Sequence, residues 1–550
     1  LTLADERVRR VLPSEFGMLL GALAFMASLT PSLIPRTALL QGVVAGIAFI
    51  ISYGFGAGAD FLWRWLGLPV LGGRLRSWVR FVPILLSLPI IAFGLAMATS
   101  WQNAIHLAMG MPVVESARPF TIALVALAVA LCIYLLGHAF RGIMIYVASR
   151  LSRILPRRIA TLSGFLVAAT FFWSVGNGIL LRGVLHVLDS SYRQIDLLLP
   201  ADFAAPTEPE KTGSPNSLIE WSSLGARGRT RILAAPTQTE IENVTGAAAK
   251  VPIRVYVGIN SASTVRDRAS LALAELIRVG AFDRSLLVIA TPTGTGWVDP
   301  AAMAPVEILH RGDIASVSVQ YSYLPSWLSL LVEPDYGEET ARTVFSVVYG
   351  YWRNLPRDKR PRLFLFGLSL GALNSDLSAD IFDIVGDPYD GALWVGPPFA
   401  SHTWRQVTDT RNRESPSWLP IFRDSSLYRF QNQTDAPVAP HANWGPIRIV
   451  YLQYASDPIV FFETASLWRR PSWMSKPRGP DVAPTLRWVP VVTFLQLLCD
   501  MMIATTTPTG VGHVYAADHY LSAWIAITEP HGWSDSNLID LRKWLSDRQL

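Results

Sequence analysis

Five long apolar stretches, at about 15–34, 38–59, 79–100, 119–140 and 160–181, fill the first third of the chain. Each is roughly 20 residues, enough at about 1.5 Å per residue to cross a hydrocarbon core of about 30 Å. They predict an α-helical membrane domain over 1–185 with about five transmembrane helices. The first stretch is too long for a cleavable signal peptide and lacks a small-residue cleavage pattern. Pro31, Pro35, Pro83, Pro89, Gly54, Gly56 and Gly58 interrupt the spans, as kinks and close helix packing would require. His138 and Asp60 fall near span ends, so the midplane holds almost no ionisable group. Transporters usually carry polar groups there. The pattern favours an anchor or lipid-access platform over transport.

Beyond residue 185 the pattern changes. Residues 186–250 read as a linker, with a polar, proline-bearing stretch over Ala204–Pro215 and a Gly/Arg-rich stretch, Ser222–Arg231, expected as a surface loop. From 251 to 550, short apolar runs alternate with amphipathic ones, which predicts an α/β domain with a mainly parallel sheet. Strands are expected over Ile253–Gly258, Leu286–Ala290, Ile314–Tyr321, Leu363–Phe366, Ala392–Val395 and Ile447–Tyr454. Helices are expected over Val265–Val279, Pro300–Leu309, Glu338–Leu355, Val491–Ala504 and Asp518–Thr528.

Composition sharpens the membrane reading: 51% of residues are hydrophobic and 16% charged, with a mean hydropathy of +0.31. The net charge of +5 comes largely from arginines placed between the apolar stretches. Arg7, Arg9 and Arg10 precede the first span; Arg64, Arg74, Arg76 and Arg80 follow the second; Arg141, Arg150, Arg153, Arg157 and Arg158 follow the fourth. The alternate loops offer little beyond Arg36 and Arg118. The basic side should be the cytoplasm, so everything after residue 185 is expected to be extracytoplasmic. A nucleic-acid footprint would concentrate basic residues on the folded domain instead. Two cysteines, Cys132 and Cys499, exclude a disulfide framework, and no C-x-x-C or H-E-x-x-H supports a metal site.

The chemistry is expected at Gly367-Leu368-Ser369-Leu370-Gly371, a G-x-S-x-G directly after the apolar run Leu363–Phe366 and before a helix opening at Ala372. A serine at such a sharp strand-to-helix turn is exposed as a nucleophile, and side chains at 367 or 371 would collide with neighbouring backbone. An acid past a later strand and a histidine before the last helix should come after it in the chain. Asp457 lies just after the strand ending at Tyr454, where Pro458 turns the chain, and His513 sits in Gly510-Val511-Gly512-His513. His513 would take the Ser369 proton while Asp457 fixes its tautomer. His519, His402, His441 and His531 are rivals of poorer placement; among acids, Asp435 precedes the strand and Asp500 looks helical. The oxyanion hole is expected from the Leu370 N–H and from the loop Thr291–Trp297, with Thr293 or Gly294 the second donor. The apolar, broken segment Tyr323–Leu331, which includes Trp327, fits core packing, a bilayer contact or an acyl pocket.

These residues resemble a family of bacterial membrane-anchored α/β-hydrolases with their own N-terminal multi-span domain. The resemblance is carried by TPTGTGWVDP (Thr291–Pro300), QYSYLPSW (Gln320–Trp327), RLFLFGLSLGA (Arg362–Ala372), GALWVGPP (Gly391–Pro398), YLQYASDPIV (Tyr451–Val460), RGPDV (Arg478–Val482) and PVVTFLQ (Pro490–Gln496). One departure is Leu368, where such proteins often have glutamate. The resemblance implies an α/β-hydrolase fold over 251–550 with Ser369, Asp457 and His513 in the catalytic positions, in a multi-pass protein of a bacterial inner membrane. The expected function is cleavage of a carboxylic ester of a lipid or acylated envelope component, with no cofactor, no metal and no nucleic-acid partner. Acyl transfer to a sugar or glycerol hydroxyl, and a non-catalytic membrane scaffold, are the alternatives.

Overall fold

The computed structural model describes residues 14–69, 73–181, 204–324, 328–329 and 334–548, with backbone alone at 73–81, 179–181, 334–335 and 381. Arg7, Arg9, Arg10, Trp327 and the linker's first part, 186–203, lie outside the described residues, as do the side chains of Arg74, Arg76 and Arg80. The chain divides into two units. The helical unit comprises Leu1–His186, Phe462–Ser475 and Pro480–Ile503; the sheet unit comprises Val187–Phe461, Lys476–Gly479 and Ala504–Leu550.

The helical unit contains α1 (Glu15–Leu29), α2 (Ala38–Trp65), α3 (Gly73–Ala108), α4 (Pro119–Leu151) and α5 (Arg157–Trp173). Among the described residues, four helices are long and apolar enough to cross a membrane: Ala38–Trp65, Val82–Ala108, Pro119–Leu151 and Arg157–Gly178. The expected fifth span is therefore corrected at the first stretch. There α1 has 15 residues, about 22 Å of helix. It stops because Thr30 precedes Pro31 and takes an extended conformation, φ −63° and ψ 158°. Small residues let α1 and α2 meet closely: a Cβ added to Gly56 would lie 2.5 Å from the Gly17 Cα. Residues 480–503, expected within the catalytic domain, pack in this unit through the helix Val492–Met502.

The sheet unit is built on seven parallel strands in the order β1-β3-β2-β4-β5-β7-β6. They are β1 (Ile253–Val257), β2 (Leu286–Thr291), β3 (Ile314–Val319), β4 (Arg362–Leu368), β5 (Gly391–Val395), β6 (Tyr428–Gln431) and β7 (Arg448–Leu452). Strands buried on both faces read as continuous apolar runs, which is why β2 and β4 were legible. Alternation then divides the faces. Leu286, Val288, Ala290, Phe364, Phe366 and Leu368 enter a core with the helices Pro300–Leu309, Ala517–Thr528 and Asp535–Asp547. Ile289, Thr291, Val317 and Val319 instead line a small space under Thr340, Ala341 and Val344 of the helix Pro334–Trp352. The Gly/Arg-rich stretch expected as a surface loop is the helix Gly225–Leu233, and its Arg229 and Arg231 are buried. Arg231 finds Ser316 of β3 at 2.9 Å, a partner that only the tertiary fold supplies.

Candidate active site

Registers align the C-terminal ends of the central strands: Thr291 lies opposite Gly367, Leu368 opposite Val395, and Val395 opposite Leu452. Ligands of parallel sheets bind at this rim. The Ser369 N–H extends the ladder by donating to the Val395 carbonyl at 2.8 Å, and Gly396 N–H donates to the Leu452 carbonyl at 2.9 Å. Ser369 itself has φ +57° and ψ −126°, a costly conformation for a residue with a Cβ and one held by its surroundings. The turn is this tight because the flanking glycines have no side chains. A Cβ on Gly367 would lie 2.2 Å from the Gly371 carbonyl oxygen, and one on Gly371 2.4 Å from that of Thr291.

Asp457 follows β7 by five positions and is fully buried. Its Oδ1 accepts from the Ile459 N–H at 2.9 Å. Its Oδ2 lies 2.6 Å from His513 Nδ1 and accepts the Tyr515 hydroxyl proton at 2.7 Å. The imidazole lies over Gly396, which has φ +51° and follows the Val395 whose carbonyl accepts the Ser369 N–H. A Cβ there would meet His513 Cε1 at 2.7 Å and Nδ1 at 3.0 Å, so only glycine leaves room for the ring. Gly512 N–H donates to Ser456 Oγ at 2.8 Å, tying the histidine loop to the acid's neighbour.

The rival residues are elsewhere. His519 meets the Tyr454 hydroxyl, His441 and His531 are exposed, and His402 opens the helix His402–Asp409. Asp435 is exposed, and Asp500 is buried against Arg36 in the helical unit. The loop after β2 reaches the nucleophile turn, since the Thr291 and Pro292 carbonyl oxygens face Gly371. Within it, Thr293 N–H already donates to the Trp297 carbonyl at 2.9 Å, and the Thr293 hydroxyl is 3.4 Å from that of Thr295. The amide of Thr293, one of the two expected donors, is thus committed within its own loop. Leu370 is the first residue of the helix Leu370–Asp376, whose Ala372 and Leu373 N–H groups donate to the Ser369 carbonyl at 2.9 and 3.3 Å, so the Leu370 N–H precedes the first intrahelical bond.

Sequence reasoning missed Tyr515, Gly396, Ser456 and Asp299. Gly396 stood directly after an apolar strand, a signal that could have been read. Asp299 caps the helix Pro300–Leu309 through the Ala301 N–H at 2.9 Å and accepts the Tyr520 hydroxyl at 2.9 Å. Burial pushes its carboxyl up to about 6, and these two bonds and the nearby His513 pull it back only partly. Among the described residues no group of three or more His, Cys, Asp or Glu comes together as a metal site.

The family model described as "Alpha/beta-hydrolase family" matches residues 253–541, and that described as "Alpha/beta-hydrolase family N-terminus" matches residues 29–236. No curated protein and no solved structure matches the chain.

Proposed function

Because the chain belongs to the alpha/beta-hydrolase family, we propose that it is a serine-dependent ester hydrolase with Ser369 as nucleophile, His513 as general base and Asp457 as its orienting acid. The observation that carries this reading is the 2.6 Å pairing of His513 Nδ1 with a fully buried Asp457. That pairing leaves Nε2 to take the Ser369 proton. Ser369 Oγ attacks the ester carbonyl, and the oxyanion is met by Leu370 N–H and by the Thr293–Gly294 loop. Collapse of the tetrahedral species expels the alcohol, which takes its proton from His513. Water, deprotonated by His513, then attacks the acyl-serine; collapse breaks the acyl–Oγ bond, Ser369 Oγ recovers the proton from His513, and the carboxylic acid leaves.

The substrate we propose is a lipid or acylated envelope component on the extracytoplasmic side. The sidedness rests on the arginines, and the shortness of α1 does not disturb it. The basic ends between α4 and α5, Arg150, Arg153, Arg157 and Arg158, mark the cytoplasmic side. The chain after α5 must emerge opposite them whatever α1 does. Acyl transfer is the second reading, favoured by how dry the site is: Ser369 is 5% exposed and His513 8%. A scaffold without catalysis has less support, because the Asp457–His513 pair and the strained turn at Ser369 suit a hydrolase better than an inert fold.

The test is release of free carboxylic acid from a panel of acylated lipids by detergent-purified protein, with and without glycerol or a sugar as acceptor. Ser369→Ala serves as the control. Acid release lost in the variant supports hydrolysis; an acylated acceptor formed at the expense of acid supports transfer. Turnover of short soluble esters alone would contradict the lipid assignment.

A further inference from the structure

Residues Phe462–Ser475 and Pro480–Ile503 belong to the helical unit, although they come long after its last span in the chain. Two stretches of this segment lie side by side. Val491 N–H donates to the Leu467 carbonyl at 3.0 Å, and Trp488 Nε1 donates to the Ser466 carbonyl at 2.8 Å. The junction collects Arg469 and Arg470 from one stretch and Arg487 from the other. All three are exposed, and Trp468 beside them is 68% exposed. Arg470 donates to the Met474 carbonyl. Among the described residues none of the three forms an ion pair. The segment's own acids do not offset them: Asp481 and Asp500 are buried, and Asp500 holds Arg36 at 2.8 Å.

Two residues beyond Arg487 the surface turns apolar. Val489 and Pro490 form one wall of a pocket of about 410 Å³, whose other walls include Leu23 and Ala24 of α1 and Ser52 and Phe55 of α2. That volume falls in the range of small-molecule sites, about 300–1,000 Å³. Ala24 and Val492 also pack with Ala27 and Ala48, which fixes the walls against one another. The wall on α2 belongs to a helix long and apolar enough to cross a membrane, Ala38–Trp65, and Phe55 on it is 64% exposed. The medium around such a helix is hydrocarbon.

The helix that follows, α6 (Val492–Met502), is patterned for the same medium. Its polar residues are turned inward: Gln496 Nε2 donates to the Ser28 and Thr30 carbonyls at 3.0 and 2.9 Å, and Asp500 is on Arg36. Leu498 and Met502 are exposed instead. A helix in water shows the reverse. Arginines beside hydrocarbon are costly unless an anion meets them, and an exposed tryptophan among them is typical of the headgroup level. Guanidinium groups recognise phosphate, and an apolar pocket beside a span takes an acyl chain. One molecule offers both.

We propose that this pocket holds an acyl chain of an anionic phospholipid whose phosphate is met by Arg469, Arg470 and Arg487.

The test is retention of lipid by the full chain in detergent, supplied with equimolar phosphatidylglycerol and phosphatidylcholine and read as moles of each lipid per mole of protein. Wild type should saturate near one phosphatidylglycerol per chain and prefer it over phosphatidylcholine about tenfold or more. The triple replacement R469Q/R470Q/R487Q, confined to exposed side chains, should abolish that preference. Ser52→Phe, which fills the pocket from α2, should lower retention of both lipids several-fold. Inorganic phosphate at millimolar concentration should displace none of the lipid. Equal retention of the two lipids by wild type, or a preference that survives the triple replacement, overturns the proposal. So does retention that rises with added lipid and never saturates, which is the behaviour of lipid coating the spans. Displacement by inorganic phosphate would show an anion site without a chain pocket and overturn the lipid assignment. If Ser52→Phe does not fold, a diazirine placed midway along the phosphatidylglycerol chain decides in wild type. Photoadducts within 484–495 support the pocket, and adducts on the spans alone overturn it. Neither readout uses ester turnover, so the outcome is independent of the hydrolase reading.

Discussion

Asp457 and Asp500 are both fully buried carboxylates, and as residue types nothing separates them. Their partners do. Asp500 faces a guanidinium, a hydroxyl and a backbone N–H. Asp457 faces an imidazole, a phenol and a backbone N–H. The first environment fixes one geometry. The second can stabilise an imidazolium when it forms and release it afterwards, which is what a nucleophile's base requires. In the proposed reaction Asp457 acts through the imidazole it holds, whereas Asp500 has no such partner among the described residues.

The comparison breaks most sharply at the acid. Asp457→Asn should leave the fold intact and lower ester turnover about 10³–10⁴-fold by presenting the wrong histidine tautomer. A steady-state kcat within tenfold of wild type would place Asp457 with Asp500 among structural carboxylates. Gly396→Ala comes next. Its methyl would overlap the ring held by Asp457, and a displaced base should cost about 10²-fold in kcat with a smaller change in KM. Retention of full activity would mean that the imidazole works from another position.

Tyr515→Phe removes one of the two donors on Asp457 Oδ2. Loss of one hydrogen bond to a charged group is worth about 1.5–3 kcal/mol, of which only the part expressed in the transition state lowers kcat. A fall of about tenfold is expected, read in kcat/KM across pH. On turnover the smallest effect belongs to Asp299, which touches stability instead. Its carboxyl is raised to about 6 by burial, so the folded chain holds a proton there that the unfolded chain has lost. The stabilising contribution is complete below the unfolded value, near 4, and is lost as pH rises through about 6. The loss amounts to about 3 kcal/mol. Asp299→Asn keeps the cap's acceptor without the charge. Relative to wild type it should raise Tm more at pH 8 than at pH 5; equal shifts would show that Asp299 is not the group responsible.

Much of this could be read from the chain because the signals are local. Leu363–Gly371 encodes a buried strand, a turn that only glycines permit and a helix start, so Ser369 needed no tertiary information. Asp457 and His513 were legible from the order of elements, since Pro458 and Gly510–Gly512 punctuate the chain beside them. What was not legible depends on partners far away in sequence. Arg229 and Arg231 looked like surface charge, because nothing near them announces Ser316 or their burial. Glu15–Leu29 looked like a full span, because hydropathy continues through residues 30–34 although Pro31 ends the helix. The excursion of 462–503 into the helical unit was hidden for the same reason. Its apolar helix Val492–Met502 fits an α/β core as well as a helical bundle, and distant partners such as Ser28, Thr30, Ser32 and Arg36 show where it belongs. Strand β6 and the helix Asp535–Asp547 were missed, the former being four residues and weakly patterned.

The most direct measurement of the central claim is covalent labelling by a fluorophosphonate probe, comparing wild type with Ser369→Ala and His513→Ala in detergent. An activated serine predicts that wild type labels, that Ser369→Ala does not label at all, and that His513→Ala labels at least 10²-fold more slowly while remaining folded. Wild-type protein that stays unlabelled, or Ser369→Ala that labels as fast as wild type, would contradict the account.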